Sequence, residues 1–348
     1  HVAVRRQRQM CIRDRYDNGP TFFHYPEIAE EIFEALGLDA REELGLIELD
    51  PNYRLVFGAG GSIDASTDLE HMVSQIRVLC GEDNAKGFRK YIEDNRTKLD
   101  LSKNCLNSPW RGPTDLLSRR AMRVAKVLRP WRSVSSDLSK VFSDERMQLA
   151  MSFQTKYLGM SPFQAPSLFT ILAYLEYEHG VFHAEGGLGS ITQKMGEIAR
   201  DLGVDIRLNE PVNDFVFEGK KVVGAITENG TYTADKFVMN VDFATGMKGL
   251  IPDKLRKKWS NKKIDEKSYS CSTYMLYLGL DKLYDTPHHQ IYAAKDYQKN
   301  LKEVTENKVT WDDPSIYVQN ACVTDPTMAP EGHSTIYVLV PASSSHEE

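Results

Sequence analysis

The apolar residues of the chain recur with two different periods. Between residues 26 and 37 they recur at helical spacing, and the glycine at 37 predicts where that helix ends. The stripe consists of Ile28, Ile32, Phe33 and Leu36. Residues 45–66 alternate as strands do, with glycines at 58, 60 and 61 that predict a hairpin turn. Thr67 and Asp68 then predict the start of another helix.

The middle of the chain is predicted to be helical and the remainder to be rich in strands. Helical spacing dominates from Glu82 to His179, and residues 167–180 are apolar on almost every side, which predicts a helix that is either buried or faces an apolar partner. From Gly180 the pattern predicts a strand, a glycine-rich loop, a helix and a strand over 204–212. A β-hairpin over 212–234, a strand over 236–242 and three strands beyond residue 268 complete the prediction.

These elements interleave two kinds of structure. Residues 16–50 and 180–250 have the order of a nucleotide-binding α/β half, whereas 51–179 and 265–341 combine helices with a second sheet. We therefore predict a Rossmann-like α/β domain with an inserted α+β domain of mixed sheet and helices. Residues 1–15 are basic and lack apolar periodicity, so we expect a non-native leader, and the ending "PASSSHEE" suggests an internal piece of a longer protein.

Composition excludes several functional classes. The 348 residues are 41% hydrophobic, and the net charge of −6 argues against a general nucleic-acid partner. No apolar run is long enough to span a membrane. The five scattered cysteines indicate reduced thiols in the cytoplasm, and the nine histidines lack metal-ligand spacing.

The glycine-rich stretch "FHAEGGLGSITQ" is the first candidate for binding chemistry. Gly186, Gly187 and Gly189 remove side chains where the backbone must approach another surface. The helix that follows begins with free N–H groups and a positive dipole end, which suit an anion or the polar edge of a cofactor. The alternative is a tight strand-to-helix turn without a ligand.

This stretch resembles the internal FAD-domain segment of phytoene desaturase-type flavoproteins. Those proteins carry P-x-G-G-x-G, a helix and a strand with Glu-x-Val, whose valine main chain meets the adenine of FAD. The matching residues are Gly186, Gly187, Gly189, Glu210 and Val212. Ala184 and Glu185 depart from the family's usual residues there.

Further segments carry the same resemblance. "YDNGPTFF" is similar to the family's F-D-x-G-P-T, which lies beside the flavin ring, so Gly19, Pro20 and Thr21 are implied as a flavin wall, with a simple turn as the alternative. "FVMNVD" resembles V-x-N-A-D and implies a cofactor contact at Asn240. The resemblance covers nearly everything from residue 16 to 341.

The resemblance implies an amine-oxidase-like fold and FAD-dependent desaturation of a carotenoid such as phytoene. Hydride passes from the polyene to the flavin and a proton leaves the neighbouring carbon. The family's G-x-G-x-x-G would precede Tyr16 and its closing glycine-rich segment would follow Glu348, so we expect this piece alone to be inactive and to hold FAD poorly. Alternatives are a retinol saturase, a carotenoid isomerase or oxidase, and a non-catalytic lipid-binding protein.

A polyene substrate requires an apolar tunnel. Residues 120–182 are rich in apolar helices, and the tunnel candidates are Leu168, Phe169, Leu172 and Leu175, with a plain helix core as the alternative.

Asp144 and Lys156 are the candidate proton-transfer residues. Glu176 and Glu185 are further candidates, and for all four the alternative is an exposed surface charge. His183 could contact the flavin, with a structural role as the alternative, whereas Asp325 is interpreted as a structural residue of a turn.

An insoluble substrate also implies a cytoplasmic protein that docks peripherally on a membrane. Residues 116–133 combine basic residues with Trp131, as interfacial helices do, while a solvated basic face is the alternative. The basic residues are Arg119, Arg120, Arg123, Lys126 and Arg129.

Overall fold

The computed structural model describes residues 14–106, 125, 127–267, 269, 271–306 and 311–342. They form two compact units, the second of which takes in the described part of residues 196–269 and the first the rest. These units are defined by internal contacts and have other boundaries than the predicted domains (16–50 with 180–250, and 51–179 with 265–341), which remain a prediction. Of the predicted leader, only Asp14 and Arg15 lie among the described residues.

The helices of the first unit begin at the positions where capping side chains are available. Asp68, rather than Thr67, is the N-cap of the third helix and accepts from the N–H groups of Glu70 and His71. The α-helices are α1 (Glu27–Glu34), α2 (Ala40–Leu44), α3 (Leu69–Cys80), α4 (Glu82–Leu106), α5 (Val134–Leu138), α6 (Glu145–Ala150), α7 (Thr170–His179), α8 (Gly189–Asp201, which continues into the second unit) and α11 (Tyr297–Thr305). Short 3₁₀ helices cover Phe153–Leu158, Ser167–Phe169, Ala321–Val323 and Pro326–Met328.

The strands of the first unit form two sheets. A six-stranded sheet has the order β4-β3-β10-β11-β12-β9, in which only the pair β3–β10 is parallel. A three-stranded sheet has the order β1-β5-β2. The strands are β1 (Phe23–His24), β2 (Leu46–Glu48), β3 (Tyr53–Val56), β4 (Ser62–Ala65), β5 (Val181–Ala184), β9 (Ser272–Leu280), β10 (His289–Tyr292), β11 (Ile316–Asn320) and β12 (Ser334–Ala342).

The second unit contains the predicted hairpin as a three-stranded meander, extended by one strand. The meander has the order β6-β7-β8, and two helices and a 3₁₀ turn (Asp253–Leu255) follow it. The elements are β6 (Asp214–Glu218), β7 (Lys221–Thr227), β8 (Gly230–Thr233), α9 (Phe243–Leu250) and α10 (Asn261–Asp265).

Two predicted strands of the second unit are absent from its sheet. The segments 204–212 and 236–242 form no strand, and Leu208 and Val238 are 71% and 93% exposed. The prediction was wrong because a strand requires a neighbouring backbone to complete its hydrogen bonds. Within the described residues, neither segment has such a neighbour.

The main hydrophobic core packs one face of β3 and β4 against α3, α4 and α7. Tyr53, Leu55 and Ile63 come from the strands and are at most 1% exposed. The predicted burial of α7 is confirmed, since seven of its ten residues are buried. In α1, by contrast, only Phe33 is buried and the rest of the predicted stripe is exposed.

A search of the described helices for membrane-crossing segments finds none with the required length and apolar character.

Candidate functional site

The segment Asp17–Phe22, hereafter the 17–22 segment, lies against one face of the six-stranded sheet. Tyr337, Gln319 and His289 are successive cross-strand neighbours on β12, β11 and β10, so their side chains share that face. Gln319 Nε2 donates to Asp17 Oδ2 at 3.2 Å, and the ring of Phe22 stacks on His289 with centroids 4.2 Å apart. The segment is thus fixed to the sheet at both ends.

Between these fixed ends, residues 18–20 are exposed to solvent. Thr21 is buried, and its Oγ1 accepts a hydrogen bond of 2.7 Å from the hydroxyl of Tyr317. Gly19 and Pro20 are exposed, and a Cβ on Gly19 would meet no atom within 4 Å. Two adjacent residues with fixed backbone and free faces can therefore pack against a flat ligand.

Two carboxylates accept hydrogen bonds from the main chain of the glycine loop, Ala184–Gly189. Asp17 Oδ1 accepts from the N–H of Leu188 at 2.6 Å, and Asp325 Oδ2 accepts from the N–H of Gly186 at 2.7 Å. The N–H groups of Gly186 and Leu188, which precede the helix, are therefore occupied by these carboxylates. Asp17 and Asp325 are 4% and 1% exposed, and a buried carboxylate needs those donors itself.

Gly187 and Gly189 have different surroundings in this loop. Gly187 has a φ of +91°, and a Cβ there would lie 2.7 Å from Asp17 Oδ1. Gly189 starts α8 and a Cβ there would meet nothing within 4 Å. Gly187 is thus required by the packing against Asp17, whereas Gly189 leaves an open surface.

Asp325 belongs to a buried group of polar side chains, hereafter the Asp325 cluster, with His183, His288, Gln319 and Thr324. His183 Nε2 lies 3.0 Å from Asp325 Oδ2, and the two ring nitrogens of His288 lie 2.9 Å from Thr324 Oγ1 and 3.3 Å from Gln319 Nε2. The cluster joins β5, the start of β10 and β11.

The electrostatics of the Asp325 cluster indicate a structural role. Burial alone would raise the pKa of Asp325, but the hydrogen bonds from Thr327, His183 and Gly186 outweigh it and lower the pKa. Burial, with the neighbouring His183, lowers the pKa of His288 to about 3, so this ring is neutral at physiological pH. The geometry supports the structural interpretation of His183 and Asp325.

His289, which follows His288 in the chain, belongs to a strand rather than to a loop. This residue is the first of β10, fully buried and stacked on Phe22. The sequence feature that indicates this strand is the apolar pair Ile291–Tyr292 that follows His289. The pair is too short to predict a strand by alternation.

A second buried polar group, hereafter the Glu176 cluster, surrounds a carboxyl group on α7. Glu176 Oε2 accepts from Gln154 Nε2 at 2.8 Å and from the hydroxyl of Tyr53 at 3.1 Å. Tyr53 is bonded in turn to the hydroxyl of Tyr177 at 3.1 Å.

The expected alternative of a surface charge is wrong for Glu176, which is 0% exposed. Burial raises the pKa of Glu176 to about 7, against the lowering effect of the hydrogen bonds from Gln154 and Tyr53. Its Oε1 has no hydrogen-bond partner among the described residues. Sequence reasoning placed Glu176 at the surface because carboxylates are rarely buried without a cation.

The other three proton-transfer candidates differ from Glu176. Asp144 is the N-cap of α6 and binds Arg146, whose hydrogen bonds lower the pKa of Asp144, so its contacts are those of a structural residue. Lys156 Nζ lies 4.7 Å from the ring centroid of Tyr297, and burial lowers the pKa of Lys156 to about 8. Glu185 is exposed beside Gly45, as in the alternative of a surface charge.

Four tunnel candidates lie along one side of α7 and the turn before it. Leu175 is buried in the main core, and Phe169 packs against that core, as in the alternative of a plain helix core. Leu168 and Leu172 are half-buried. None of the four lines the cavity of about 440 Å³ that Phe57, Phe163 and Leu301 help to form.

The remaining cofactor candidates belong to the second unit. Val212 is 40% exposed and Asn240 is exposed. Glu210 accepts hydrogen bonds of 2.7 Å from both Thr227 and Tyr232, so its carboxylate stabilises the meander.

Most of the predicted interfacial helix lies outside the described residues, including Arg119, Arg120, Arg123 and Lys126. Of its described part, Arg129 pairs with Asp137 at 3.3 Å and Trp131 is 67% exposed. Among the described residues, no three His, Cys, Asp or Glu side chains are grouped to hold a metal ion.

Residues 4–348 match the family described as flavin containing amine oxidoreductase. The chain belongs to this family. Membership confirms the predicted flavoprotein family.

Curated relatives of this family member are carotenoid enzymes. The chain is 36% identical over 327 residues to a 4,4'-diapophytoene desaturase (4,4'-diapolycopene-forming) of Methylomonas sp, and the match covers 94% of the chain and 64% of the relative. It is 33% identical over 346 residues to an all-trans-zeta-carotene desaturase of Myxococcus xanthus, covering 94% and 63%. These names confirm the resemblance, and the chain spans slightly less than two thirds of either relative.

Solved structures confirm the fold class. An oxidoreductase from Methanosarcina mazei aligns with a TM-score of 0.55 at 12% identity, covering 93% of this chain and 66% of the other. A putrescine oxidase aligns with a TM-score of 0.51 at 14% identity, covering 93% and 64%. At such identities the comparison concerns the fold alone.

Proposed function

We propose that the protein to which this chain belongs is an FAD-dependent desaturase of a carotenoid, with phytoene and diapophytoene as the substrate class. The observation that carries the proposal is the exposed pair Gly19–Pro20, fixed between Asp17 and Thr21 in a family member whose relatives are named as desaturases. A desaturation removes a hydride and a proton from adjacent carbons, and bound flavin supplies the hydride acceptor.

The residues of the first unit fit the side of a flat heteroaromatic ring. Gly19 and Pro20 are exposed, and residue 19 has no Cβ. The hydrogen bond from Tyr317 fixes Thr21, the third residue of the proposed flavin wall. Gly189 keeps the start of α8 open, whereas Gly186 and Gly187 act by keeping the glycine loop against Asp17 and Asp325. Their proposed role is to shape the site.

The residues proposed for the second unit would meet the dinucleotide part of FAD. Val212 lies in an extended segment, and its main-chain groups make no hydrogen bond with the described part of the chain. A free main-chain edge of this kind suits an adenine, which presents both a donor and an acceptor. Asn240 is exposed and offers an amide for the same cofactor.

Leu168, Phe169, Leu172 and Leu175 remain the proposed tunnel residues. Leu168 and Leu172 are the two with surface left to contact a polyene, while Phe169 and Leu175 would support them from the core.

The proposed proton-transfer roles of Asp144 and Lys156 have unequal support. Asp144 is engaged with Arg146, whereas Lys156 has no carboxylate partner among the described residues.

The test is expression of the full-length gene in hosts that accumulate phytoene or diapophytoene. We expect more conjugated, coloured products and a purified protein with the yellow absorbance of flavin. Colourless cells together with a flavin-free protein would contradict the proposal. A Gly19→Val variant should lose product, because a branched side chain would stand on the exposed face. A Gly249→Val variant, at another exposed glycine with free space for a Cβ, is the matched control.

An oxidation at a carotenoid end group is the second candidate. A relative of Metabacillus indicus that is 31% identical over 334 residues is named a 4,4'-diapolycopen-4-al dehydrogenase. Supplying the same hosts with a carotenoid that carries a terminal aldehyde distinguishes the two, since only this second activity would oxidise the aldehyde to the carboxylic acid.

We also propose that the protein acts from the cytoplasm as a peripheral membrane protein, because a carotene resides in lipid. The exposed Trp131 beside Arg129 supports this contact. Flotation with anionic vesicles should carry the protein upward, and a Trp131→Ser variant should float less. Equal flotation of both proteins would contradict a contact at Trp131.

A further inference from the structure

The second unit carries a strongly basic stretch in an acidic chain. Residues 253–267 contain seven lysines and arginines against three aspartates and glutamates, whereas the whole chain has a net charge of −6. The arginine of the stretch, Arg256, is buried at 6% exposure, and its six lysines are exposed. The stretch therefore presents lysine charge at the surface.

Local contacts hold this stretch in a compact turn. Asp253 Oδ1 accepts from the N–H of Asn261 at 3.3 Å and pairs with the guanidinium of Arg256 at 3.4 Å. Arg256 Nη1 donates to the carbonyl oxygen of Trp259 at 3.4 Å. Ile264 is the one buried residue of α10, so its side chain packs into the unit. The turn is thus shaped by Asp253 and Arg256, and the lysines are not needed for it.

One indole ring gathers two of the exposed lysines. The ammonium groups of Lys258 and Lys267 lie 5.1 and 4.9 Å from the ring centroid of Trp259. The ring of Phe243, at the start of α9, packs edge-on against the same indole with centroids 5.1 Å apart. Trp259 thus brings together two cations from opposite ends of α10 and joins them to α9.

Most lysines of the stretch have no carboxylate partner. Lys262 lies 3.8 Å from Glu266, and Asp265 pairs with Lys248 of α9. Within the described part of the chain, five lysines of the stretch make no salt bridge. They are hereafter the lysine patch: Lys254, Lys257, Lys258, Lys263 and Lys267. Ammonium groups held close together repel one another, and an anionic partner would relieve that repulsion.

We propose that the lysine patch docks the protein on the surface of a bilayer that contains anionic phospholipid. The inference rests on the proposed function, because the proposed substrate resides in lipid. It assigns a membrane contact to the second unit, whereas Trp131 belongs to the first. The lipid phosphates accept hydrogen bonds from the ammonium groups, and Trp259 lies among those groups, as indoles do in the interfacial region of a bilayer.

The composition of the patch favours a lipid surface over a nucleic acid. All five of its cations are lysines, which act as point charges, and the arginine of the stretch is buried. Nucleic-acid recognition instead favours arginine, whose planar fork binds phosphates and bases in fixed geometry. The chain as a whole is acidic, whereas nucleic-acid binders have an extended basic footprint. A layer of mobile headgroups requires charge density rather than fixed geometry.

The test measures binding of the full-length, flavin-loaded protein to vesicles by flotation. The combined variant Lys254→Gln, Lys257→Gln and Lys263→Gln leaves the two lysines on Trp259 in place. At about fivefold in binding per lysine, we expect this glutamine variant to bind vesicles of phosphatidylglycerol and phosphatidylcholine about 100-fold more weakly than wild type. On pure phosphatidylcholine the two proteins should bind equally, and about 0.5 M salt should remove most of the difference.

Two matched controls separate the patch from the overall charge. The first changes as many exposed lysines elsewhere to glutamine, at Lys86, Lys220 and Lys221, and should bind as wild type. The second replaces the three patch lysines by arginine and should also bind as wild type, because the charge is kept. Wild-type binding by the glutamine variant would overturn the patch, as would an equal loss in either control. Tighter binding of the wild type to DNA than to the anionic vesicles would overturn the choice of partner.

Flavin reduction distinguishes failure of this inference from failure of the proposed function. With carotene in detergent and without oxygen, the glutamine variant should reduce its flavin at the wild-type rate, whereas with carotene in anionic vesicles it should be slower. Equal rates in vesicles would overturn the membrane role of the patch and leave the desaturase proposal intact. Failure of carotene in either form to reduce the wild-type flavin would instead overturn the proposed function, while the vesicle-binding result would stand.

Discussion

Asp325 and Glu176 are both buried carboxyl groups, yet their environments lead to opposite protonation. Asp325 accepts hydrogen bonds from the main chain of Gly186 and from His183, and these donors lower its pKa in spite of burial. Glu176 has only phenols and an amide around it, and burial raises its pKa to about 7. The hydrogen-bond donors around a buried carboxyl group, rather than its burial alone, decide whether it stays ionised and fixes a loop or takes up a proton near neutral pH.

Among the variants that test this comparison, the largest change in the free energy of unfolding is expected at Asp325. In Asp325→Asn the side chain can no longer accept from Gly186 and His183 with a negative charge, so we expect a loss of about 3 kcal/mol in the free energy of unfolding. Urea denaturation measures it. Asp281→Asn, at an exposed position, serves as the control and should change little. An Asp325→Asn variant as stable as the control would show that the charge does not hold the glycine loop.

The dependence of stability on pH sharpens the same comparison. The pKa of Glu176 is raised on folding, so above its unfolded value of about 4.5 the unfolded chain releases a proton that the folded chain retains. Wild type should therefore lose stability relative to Glu176→Gln as pH rises from about 4.5 to about 7, by about 3 kcal/mol in all. Denaturation of both proteins across this window measures the difference, and parallel curves would contradict the raised pKa.

His288 should produce the opposite dependence in the Asp325 cluster. Its pKa is lowered to about 3, so below about pH 6.5 the unfolded chain binds a proton that the folded chain excludes. We expect His288→Gln to reduce the loss of stability as pH falls from about 6.5 toward about 4, by about 3 kcal/mol. A His333→Gln variant, at a residue whose ring nitrogen bonds the adjacent main chain, is the control.

The smallest expected effect compares two glycines of one loop. Gly187→Ala would place a Cβ 2.7 Å from Asp17 Oδ1 at a φ of +91°, and we expect a loss of about 1 to 2 kcal/mol. Gly189→Ala has free space and should be neutral or slightly stabilising. Thermal unfolding of the two variants measures the difference, and equal unfolding temperatures would show that Asp17 does not require Gly187.

Local patterns predicted the elements whose partners lie nearby in sequence. The hairpin β3–β4, the meander of the second unit and the buried helix α7 are confirmed, because alternation and helical spacing state directly which side is apolar. The family resemblance was available because Gly19, Pro20 and the glycine loop have fixed spacing. The roles of individual site residues stay predictions.

Long-range partners could not be predicted. Nothing near Glu176 in sequence shows that Tyr53 and Gln154 would surround it, and nothing near Gly186 shows that Asp17 and Asp325 would take up the loop's N–H groups. The same limitation explains the wrong strands at 204–212 and 236–242, since an apolar extended segment does not specify its neighbour.

The parallel pairing of β3 with β10 has a consequence for biosynthesis. Arg54 and Gln290 are register partners, and the whole second unit lies between them in the chain. During translation the hairpin β3–β4 leaves the ribosome long before β10 is synthesised. Until then, the peptide groups on the edge of β3 that pairs with β10 have no strand to bond to. A nascent chain stalled before residue 289 should therefore be held by chaperones that bind extended segments, and release should follow completion of β10–β12.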